Sequence, residues 1–169
     1  MAEFVASSVS VVIATSLGNI RLTTRPEAAP MTTQHFLNLV NAKLYDGACF
    51  YRSDFVIQMG LTAASDGSSI HNSFPDLERN ETHDHVALSN TRGTMSVAHF
   101  DVPDNGNSEI FINLDANVHL DQAYGGYSVF AEIQASDESS FSTVAKIATY
   151  IAENQGGIIP VESVRVVEY

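Results

Sequence analysis

The distribution of apolar and polar residues predicts a chain built mainly of short β-strands. Stretches of alternating and β-branched residues recur along the sequence, and Gly, Pro, Asn and Asp residues separate them. Eight stretches have this pattern, at residues 8–15, 20–24, 48–52, 55–59, 93–99, 108–113, 127–133 and 161–167. The turn residues at 16–19 join the first two into a predicted β-hairpin. Residues 61–92 and 115–126 lack the pattern and are predicted to be loops, of which the first is long enough to contain short elements or a function.

Two further stretches carry apolar residues at helical spacing. The first begins at Pro30, a residue that suits the first turn of a helix, and is expected to end near Ala42 or Lys43. The second has Ser140 as its predicted N-cap, followed by apolar residues at positions 141, 144, 148 and 151. The sequence therefore predicts two helices among the strands.

The order of these elements disfavours a parallel sheet. The strands do not alternate regularly with helices, and the two predicted helices lie far apart in sequence. We therefore predict a mainly β fold, a closed eight-stranded antiparallel β-barrel capped by two α-helices, which forms a single domain over residues 1–169. Because side chains fill the interior of an eight-stranded barrel, a functional site is expected on its outer face or rim.

The chain is strongly acidic. Its 169 residues include eight Lys and Arg against twenty Asp and Glu, and the net charge is −12. Such a surface repels nucleic acid and anionic lipid, so we expect neither a nucleic acid nor a membrane as a partner. No apolar run approaches the roughly 20 residues that span a bilayer, and residues 1–10 lack the pattern of a signal peptide. We expect a cytoplasmic monomer, although a mature secreted or organellar form would show the same features.

Few residues support metal or nucleophilic chemistry. The one cysteine, Cys49, lies in an apolar run and is predicted to be a buried, unreactive thiol. The sequence contains no Gly-Xaa-Ser-Xaa-Gly elbow and no Walker-type phosphate loop. A loose acidic cluster matches no closed zinc pattern; its members are His71, Glu81, His83, Asp84 and His85. We therefore expect no metal and no cofactor, and a metal-dependent hydrolase built on this cluster is the least favoured function.

Arg52 is an isolated cation in an apolar and aromatic run at residues 49–60. A guanidinium keeps its charge inside a protein and is costly to bury without a partner. One interpretation is structural, in which Arg52 lies at a strand edge and reaches water or pairs with Asp54. The other is functional, because Arg52, Phe55 and Gln58 together offer a cation, an apolar wall and an amide within ten residues. That combination suits the binding of a peptide group.

Several segments of the chain resemble, in the same order, segments of one known family. They are residues 18–22, Tyr45-Asp46-Gly47, Phe50-Tyr51-Arg52, and residues 55–60, 90–98, 108–113 and 127–133. Together they extend over nearly the whole chain and resemble the cyclophilins, which are peptidyl-prolyl cis–trans isomerases, and among these the bacterial members most. The resemblance implies a cyclophilin fold and an isomerase that acts on Xaa-Pro bonds in peptides or unfolded protein segments.

The resemblance also implies roles for individual residues. Arg52 would donate a hydrogen bond to the prolyl nitrogen, with Phe55 and Gln58 as the other catalytic residues. The residues implied in substrate binding are Val56, Ala98, His99, Glu109, Phe111, His119, Leu120 and Tyr127. Rotation about a single bond requires no nucleophile, metal or cofactor.

The chain departs from the family pattern at four places. Only two residues separate Arg52 from Phe55, where the family usually has four. Met59 replaces a Gly, Glu109 replaces a Gln, and His119 lies where many members carry a Trp. The Trp position is associated with cyclosporin recognition, so we do not expect strong binding of cyclosporin. The short connection, Met59 and Glu109 leave an alternative function open, a catalytically weak module that binds proline-containing peptides or a protein partner.

Overall fold

Eight antiparallel strands close into a barrel in the computed structural model of the chain, which describes residues 7–77, 80–82, 87–99 and 105–167. The strands are β1 Ser10–Thr15, β2 Gly18–Thr24, β3 Ala48–Ser53, β4 Val56–Ala64, β5 Thr94–Val97, β6 Ile110–Asn113, β7 Val129–Glu132 and β8 Ile159–Val167. Around the barrel they follow the order β1-β2-β7-β5-β6-β4-β3-β8. The helices are α1 Pro30–Asn41 and α2 Glu138–Glu153, and two short 3-10 helices lie at Val118–Asp121 and Ala123–Gly125. The predicted fold class is therefore confirmed.

Alternation along β4 and β6 separates two faces of the sheet. Ile57 and Met59 of β4, with Ile110 and Ile112 of β6, are at most 2% exposed and belong to the main hydrophobic core. The same core includes apolar residues of both helices, among them Phe36, Leu39 and Val40 of α1 and Val144, Ile147 and Ile151 of α2. The intervening residues of the two strands point away from this core, so the outer face is available for a site.

The N-terminus of α1 is capped by a residue from a distant loop. Ala29, which precedes the helix, offers no side-chain acceptor. The carboxylate of Glu81 accepts hydrogen bonds from the backbone N–H groups of Met31 (3.0 Å) and Thr32 (2.7 Å). Glu81 is only 1% exposed, and its charge is stabilised by these N–H groups and by the helix dipole. These hydrogen bonds hold the part of the predicted loop 61–92 that contains Glu81 against the helix.

Two element boundaries differ from the prediction for identifiable reasons. β4 does not end at Met59 but continues to Ala64, which pairs with β3 after a bulge. The N-cap of α2 is Asp137 instead of Ser140, because the Asp137 carboxylate accepts a hydrogen bond from the Ser140 N–H at 3.0 Å. A carboxylate at this position also interacts favourably with the helix dipole.

The other differences are smaller. β8 begins at Ile159, before its predicted start, and the predicted loop at 115–126 contains the two 3-10 helices. Cys49 is buried, as the sequence predicts. None of the helices in the described part of the chain is long and apolar enough to cross a membrane.

Candidate active site

A groove with a volume of about 820 Å³ lies over the outer face of β4 and β6. Every residue that the sequence predicts for the site lines this groove, namely Arg52, Phe55, Val56, Gln58, Ala98, His99, Glu109, Phe111, His119, Leu120 and Tyr127. Further lining residues are Tyr51, Thr62, Asp76, Asn105, Asn107, Ser108, Ala123 and Tyr124. The fold thus brings the predicted residues together from distant parts of the sequence, while their individual roles stay predictions.

Strand register sets the order of side chains across the groove. Arg52 of β3 pairs with Gln58 of β4, and Gln58 pairs in turn with Phe111 of β6. Directly paired residues of neighbouring strands project to the same face of a sheet. A cation, an amide and an aromatic ring therefore lie side by side on the barrel surface.

The short connection between β3 and β4 holds the guanidinium of Arg52. The Asp54 carboxylate accepts the backbone N–H of Val56 (3.1 Å), which closes the turn, and its other oxygen accepts Arg52 Nε–H (2.8 Å). Arg52 Nη1 donates to Gln58 Oε1 at 2.7 Å, and the guanidinium carbon lies 5.4 Å from the centre of the Phe55 ring. The pairing with Asp54 that the sequence left open is thus present, and it fixes Arg52 at the groove with 41% of its side chain exposed.

The floor of the groove is apolar. Val56, Phe111 and Leu120 form a buried cluster separate from the main core, and we call these three residues the apolar floor. Ala98 and Tyr127 are partly buried and pack against it. Because this cluster opens to the groove on one side, it offers a small hydrophobic surface beside the Arg52 guanidinium.

Aromatic residues form one wall of the groove. The His99 ring stacks on Tyr127 with centroids 4.1 Å apart, and Tyr127 meets Phe111 edge to face at 5.6 Å. His99 Nε2 lies 2.7 Å from the Gly126 carbonyl oxygen, so that nitrogen carries the proton and donates. Burial, with a smaller effect of Tyr124, raises the pKa of Tyr127, and Arg52 opposes the shift in part. The Tyr127 hydroxyl is therefore neutral near neutral pH.

The prediction missed Tyr51 because of a β-bulge. In a regular strand, Tyr51 and Arg52 would point to opposite faces of the barrel. The register shifts between Phe50 and Arg52, so Tyr51 is the extra residue on β3. Both side chains therefore line the groove. Periodicity cannot reveal a bulge, and the only available signal was the resemblance of the Phe50-Tyr51-Arg52 segment, which has a polar residue before the Arg.

Three buried amides, those of Asn90, Asn113 and Asn117, and the partly buried carboxylate of Asp121 are joined by hydrogen bonds, and we call these four residues the amide network. Asn117 Nδ2 donates to the Phe55 carbonyl and to Asn113 Oδ1, both at 2.9 Å. Asn90 donates from its backbone N and from Nδ2 to Asp121 Oδ1, both at 2.8 Å. The network therefore connects the turn that carries Phe55 to the segment that carries Leu120.

Asp121 is held in its charged form by this network. Burial by itself raises the pKa of Asp121, but hydrogen bonds from Ser89 and Asn90 outweigh it, and the nearby His119 adds to their effect. The net pKa lies below the ordinary 3.8. Asp121 is consequently a carboxylate at all pH values where the protein is expected to work.

The described residues include no group of three or more His, Cys, Asp and Glu side chains that could hold a metal ion. Of the cluster considered from the sequence, Glu81 is engaged by the N-terminus of α1. His83, Asp84 and His85 lie outside the described residues.

Comparison with known proteins gives a consistent result. A family model described as cyclophilin type peptidyl-prolyl cis-trans isomerase/CLD matches residues 10–169. The chain is 32% identical to peptidyl-prolyl cis-trans isomerase A of Dickeya dadantii over 154 residues, which cover 89% of this chain and 76% of that protein. It is 30% identical to peptidyl-prolyl cis-trans isomerase B of Escherichia coli over 127 residues, covering 70% of this chain and 74% of the relative.

Solved structures show the same fold. A cyclophilin type peptidyl-prolyl cis-trans isomerase of Cryptosporidium parvum superposes with a TM-score of 0.72 at 20% identity, covering 96% of this chain and 99% of that one. A crystal structure of that protein in the presence of the dipeptide Ala-Pro gives the same TM-score. A cyclophilin of Hirschia baltica also has a TM-score of 0.72, at 18% identity, and the match covers 95% of this chain and 76% of that one.

Proposed function

The chain belongs to the cyclophilin-type peptidyl-prolyl cis–trans isomerases, and we propose that Arg52 is the group with which its groove accelerates rotation about Xaa-Pro bonds. As a member of this family the chain is an isomerase, and proteins of the family bind proline-containing peptides. A module that binds such peptides with little turnover, the alternative drawn from the departures in sequence, is not favoured by these relatives.

The chemistry requires stabilisation of a twisted amide. Amide resonance creates a barrier of about 18–20 kcal/mol to rotation. At the top of the barrier the resonance is lost, and the prolyl nitrogen regains a lone pair that can accept a hydrogen bond. A donor aimed at that nitrogen binds the twisted amide better than the planar one, and such differential binding lowers the barrier.

The position of the Arg52 guanidinium is the single observation that carries the proposal. A guanidinium has five N–H donors, and contacts with Asp54 and Gln58 occupy Nε and one donor of Nη1. These two contacts fix the plane of the group beside the apolar floor. The other N–H donors of the guanidinium can face a substrate. Because the two contacts hold the guanidinium in place before the substrate binds, little reorganisation is needed during rotation.

The apolar floor is the proposed site for the proline ring. Val56, Phe111 and Leu120 present hydrophobic surface next to Arg52, and burial of a small ring there contributes binding energy that does not depend on the isomer. The backbone of His99, beside this surface, would hold the peptide on the other side of the rotating bond. Gln58 has its carbonyl oxygen occupied by Arg52, so its first proposed role is to orient the guanidinium.

The proposed substrates are exposed Xaa-Pro segments of peptides and unfolded proteins. The groove is open and mainly hydrophobic at its floor, which suits an extended chain more than a folded surface. His119, which contacts Phe55 edge to face at 5.3 Å, replaces the larger indole that many relatives carry. We therefore expect weak binding of cyclosporin, because an imidazole covers less apolar surface than an indole.

A protease-coupled isomerisation assay on an Ala-Pro peptide tests the role of Arg52. Arg52→Ala is expected to lower kcat/KM about a hundredfold or more, the effect of removing one preorganised donor from a catalytic site. Arg165→Ala is the matched control, because Arg165 also pairs with an aspartate, Asp46, and its side chain is 40% exposed, close to the 41% of Arg52. The control variant is expected to retain the wild-type rate.

Two outcomes contradict the proposal. If Arg52→Ala keeps the wild-type rate while remaining folded, another group stabilises the twisted amide. If the wild-type protein binds the peptide but gives no acceleration at micromolar concentration, the chain is a binding module. Circular dichroism of each variant separates these outcomes from loss of the fold.

A further inference from the structure

A chain of hydrogen bonds runs from Glu109 to Arg52 along the groove. The Tyr51 hydroxyl lies 2.5 Å from Glu109 Oε1, and Gln58 Nε2 donates to the Tyr51 oxygen at 2.8 Å. Gln58 Oε1 in turn accepts from Arg52 Nη1 at 2.7 Å. Four side chains are thus connected by three consecutive hydrogen bonds.

The two ends of this chain fix its direction. A guanidinium can only donate, and a carboxylate can only accept. Tyr51 must therefore give its single hydroxyl proton to Glu109, which leaves its oxygen as the acceptor for the amide nitrogen of Gln58. The carbonyl oxygen of Gln58 then has to face Arg52. A glutamine at position 109, as the family usually has, could donate or accept and would leave the direction undefined.

The carboxylate of Glu109 is itself firmly anchored. Thr62 Oγ1 donates to it at 2.8 Å and Ser108 Oγ at 2.9 Å, in addition to Tyr51. Gly60 lies directly beneath it, and a Cβ atom at that position would come within 2.0 Å of Glu109 Oε2. The site is therefore shaped around this carboxylate.

The Tyr51 hydroxyl stays protonated in this setting. Burial, followed by the hydrogen bond to Glu109 and the charge of that carboxylate, raises the pKa of Tyr51 above its ordinary value. A neutral phenol keeps its one donor hydrogen near neutral pH, which is the condition for the direction described above.

We infer that Glu109 and Tyr51 are positioning residues for isomerisation, which act by locking the Gln58 amide in the orientation that holds Arg52. The inference rests on the proposed role of Arg52. Neither residue has to touch the rotating bond. Loss of these hydrogen bonds leaves the Gln58 amide without its fixed partner on the Tyr51 side, so that its carbonyl oxygen no longer holds Arg52 Nη1 in one place. Catalysis then falls because the donor is misplaced, whereas peptide binding on the apolar floor is unaffected.

Tyr51→Phe is the central test, because it removes the hydroxyl and retains the ring. It is expected to lower kcat about tenfold, in keeping with the sensitivity of catalysis to small misplacements. The affinity for an Ala-Pro peptide, measured by calorimetry, stays unchanged, and rotation of the Arg52 guanidinium, measured by NMR, becomes faster. Tyr150→Phe makes the same chemical change on α2, where Tyr150 is 43% exposed, and is expected to change none of these quantities.

Glu109→Gln is a second variant that keeps the volume of the side chain, with Glu162→Gln on the exposed side of β8 as its control. It is expected to lower kcat without weakening peptide binding. Should Tyr51→Phe fail to fold, this variant carries the test alone. An unchanged kcat in a folded variant contradicts the inference.

A double-mutant comparison distinguishes failure of this inference from failure of the proposed function. In an Arg52→Ala background, Tyr51→Phe should cause no further loss, because its effect passes through the guanidinium. A full tenfold loss in that background shows that Tyr51 acts independently and overturns the inference. An unchanged rate in Arg52→Ala itself, measured with Tyr51 intact, overturns the role of Arg52.

Discussion

The inner and outer faces of β4 and β6 differ in composition although they belong to the same strands. The inner face carries Ile57 and Met59 on β4, and Ile110 and Ile112 on β6, all within the main core. The outer face carries polar and apolar groups side by side, as in Gln58 next to Phe111. Side chains of one strand alternate between faces, so the core side chains lie on one face and the proposed site lies on the other.

Met59 illustrates the difference. It replaces a Gly of the family pattern, and from the sequence this replacement counted against activity. The structure places Met59 in the main core with no exposure. The extra side chain fills interior volume and does not enter the groove. The replacement therefore bears on packing within the barrel and not on the lining of the groove.

The largest expected effect comes from truncating the main core, to which the inner face of β4 and β6 belongs. Leu22→Ala removes a fully buried side chain from the main core and is expected to lower the free energy of unfolding by about 2–5 kcal/mol, because a closed cavity remains. The kcat/KM of the folded fraction should be unchanged. Urea denaturation and the isomerisation assay measure the two quantities.

Leu120→Ala is the matched truncation on the groove side, where Leu120 belongs to the apolar floor. Water can fill the space it leaves, so the loss of stability is expected to be smaller, about 2 kcal/mol or less. Its kcat/KM should fall about tenfold, which corresponds to about 1.4 kcal/mol at the transition state. Equal losses of stability and of activity in both variants would remove the distinction between the two faces.

Asn90→Ala should affect both stability and activity, because Asn90 is buried and its hydrogen bonds reach the segment that carries Tyr127. Asn90 is fully buried, and its side chain bonds to Asp121, the Tyr127 carbonyl, Ser96 and Asn113. Leaving such partners unsatisfied costs about 1–3 kcal/mol of stability. The rate should fall as well, since the wall that carries Tyr127 loses support.

Asn38→Ala, at an exposed position of α1, is the control for this variant, and it should change stability by no more than about 0.5 kcal/mol. If Asn90→Ala destabilises the protein but leaves kcat/KM intact, the amide network serves the fold alone.

Gly60→Ala tests the packing of β4 against Glu109. The new Cβ collides with the Glu109 carboxylate, and the expected loss of stability is about 1–2 kcal/mol, as for other overpacked positions, together with a lower kcat. In a Glu109→Ala background the same substitution should cost little, because the colliding atoms are absent. If Gly60→Ala still lowers the stability in the Glu109→Ala background, the loss arises from backbone strain and not from the collision with Glu109.

The smallest expected effect concerns pH. Because the pKa of Asp121 is lower in the folded protein than its ordinary 3.8, its ionisation stabilises the fold above about pH 4, and this contribution is lost as the pH falls through the folded-state value. Asp121→Asn should therefore cost less than about 1 kcal/mol at pH 7 and still less near pH 3. Urea denaturation at both pH values measures this, with Asp115→Asn at an exposed neighbouring position as control. A difference that grows on acidification contradicts the assignment.

The sequence by itself determined most of the elements, the fold class and eleven of the residues that line the groove. Apolar periodicity reflects which side chains are buried, and this is a local property, so strands such as β4 and helices such as α1 could be predicted apart from their ends. The resemblance then grouped Arg52, Gln58 and Phe111 in one predicted site, because members of a fold family share both the order and the register of their strands. Periodicity alone gave no reason to join those three residues.

Tertiary structure decided the contacts that depend on register and on distant partners. The bulge at Tyr51 adds one residue without altering the local pattern of apolar side chains, so only the pairing of β3 with β4 revealed that Tyr51 faces the groove. From the sequence, Glu81 was interpreted as part of an acidic loop. In the structure, its carboxylate lies at the N-terminus of α1. From the sequence, Glu109 counted as a departure that weakens function. In the structure, Glu109 accepts the first of three consecutive hydrogen bonds that lead to Arg52. The contacts of Glu81 and Glu109 join residues that are far apart in sequence, and no local pattern encodes their proximity.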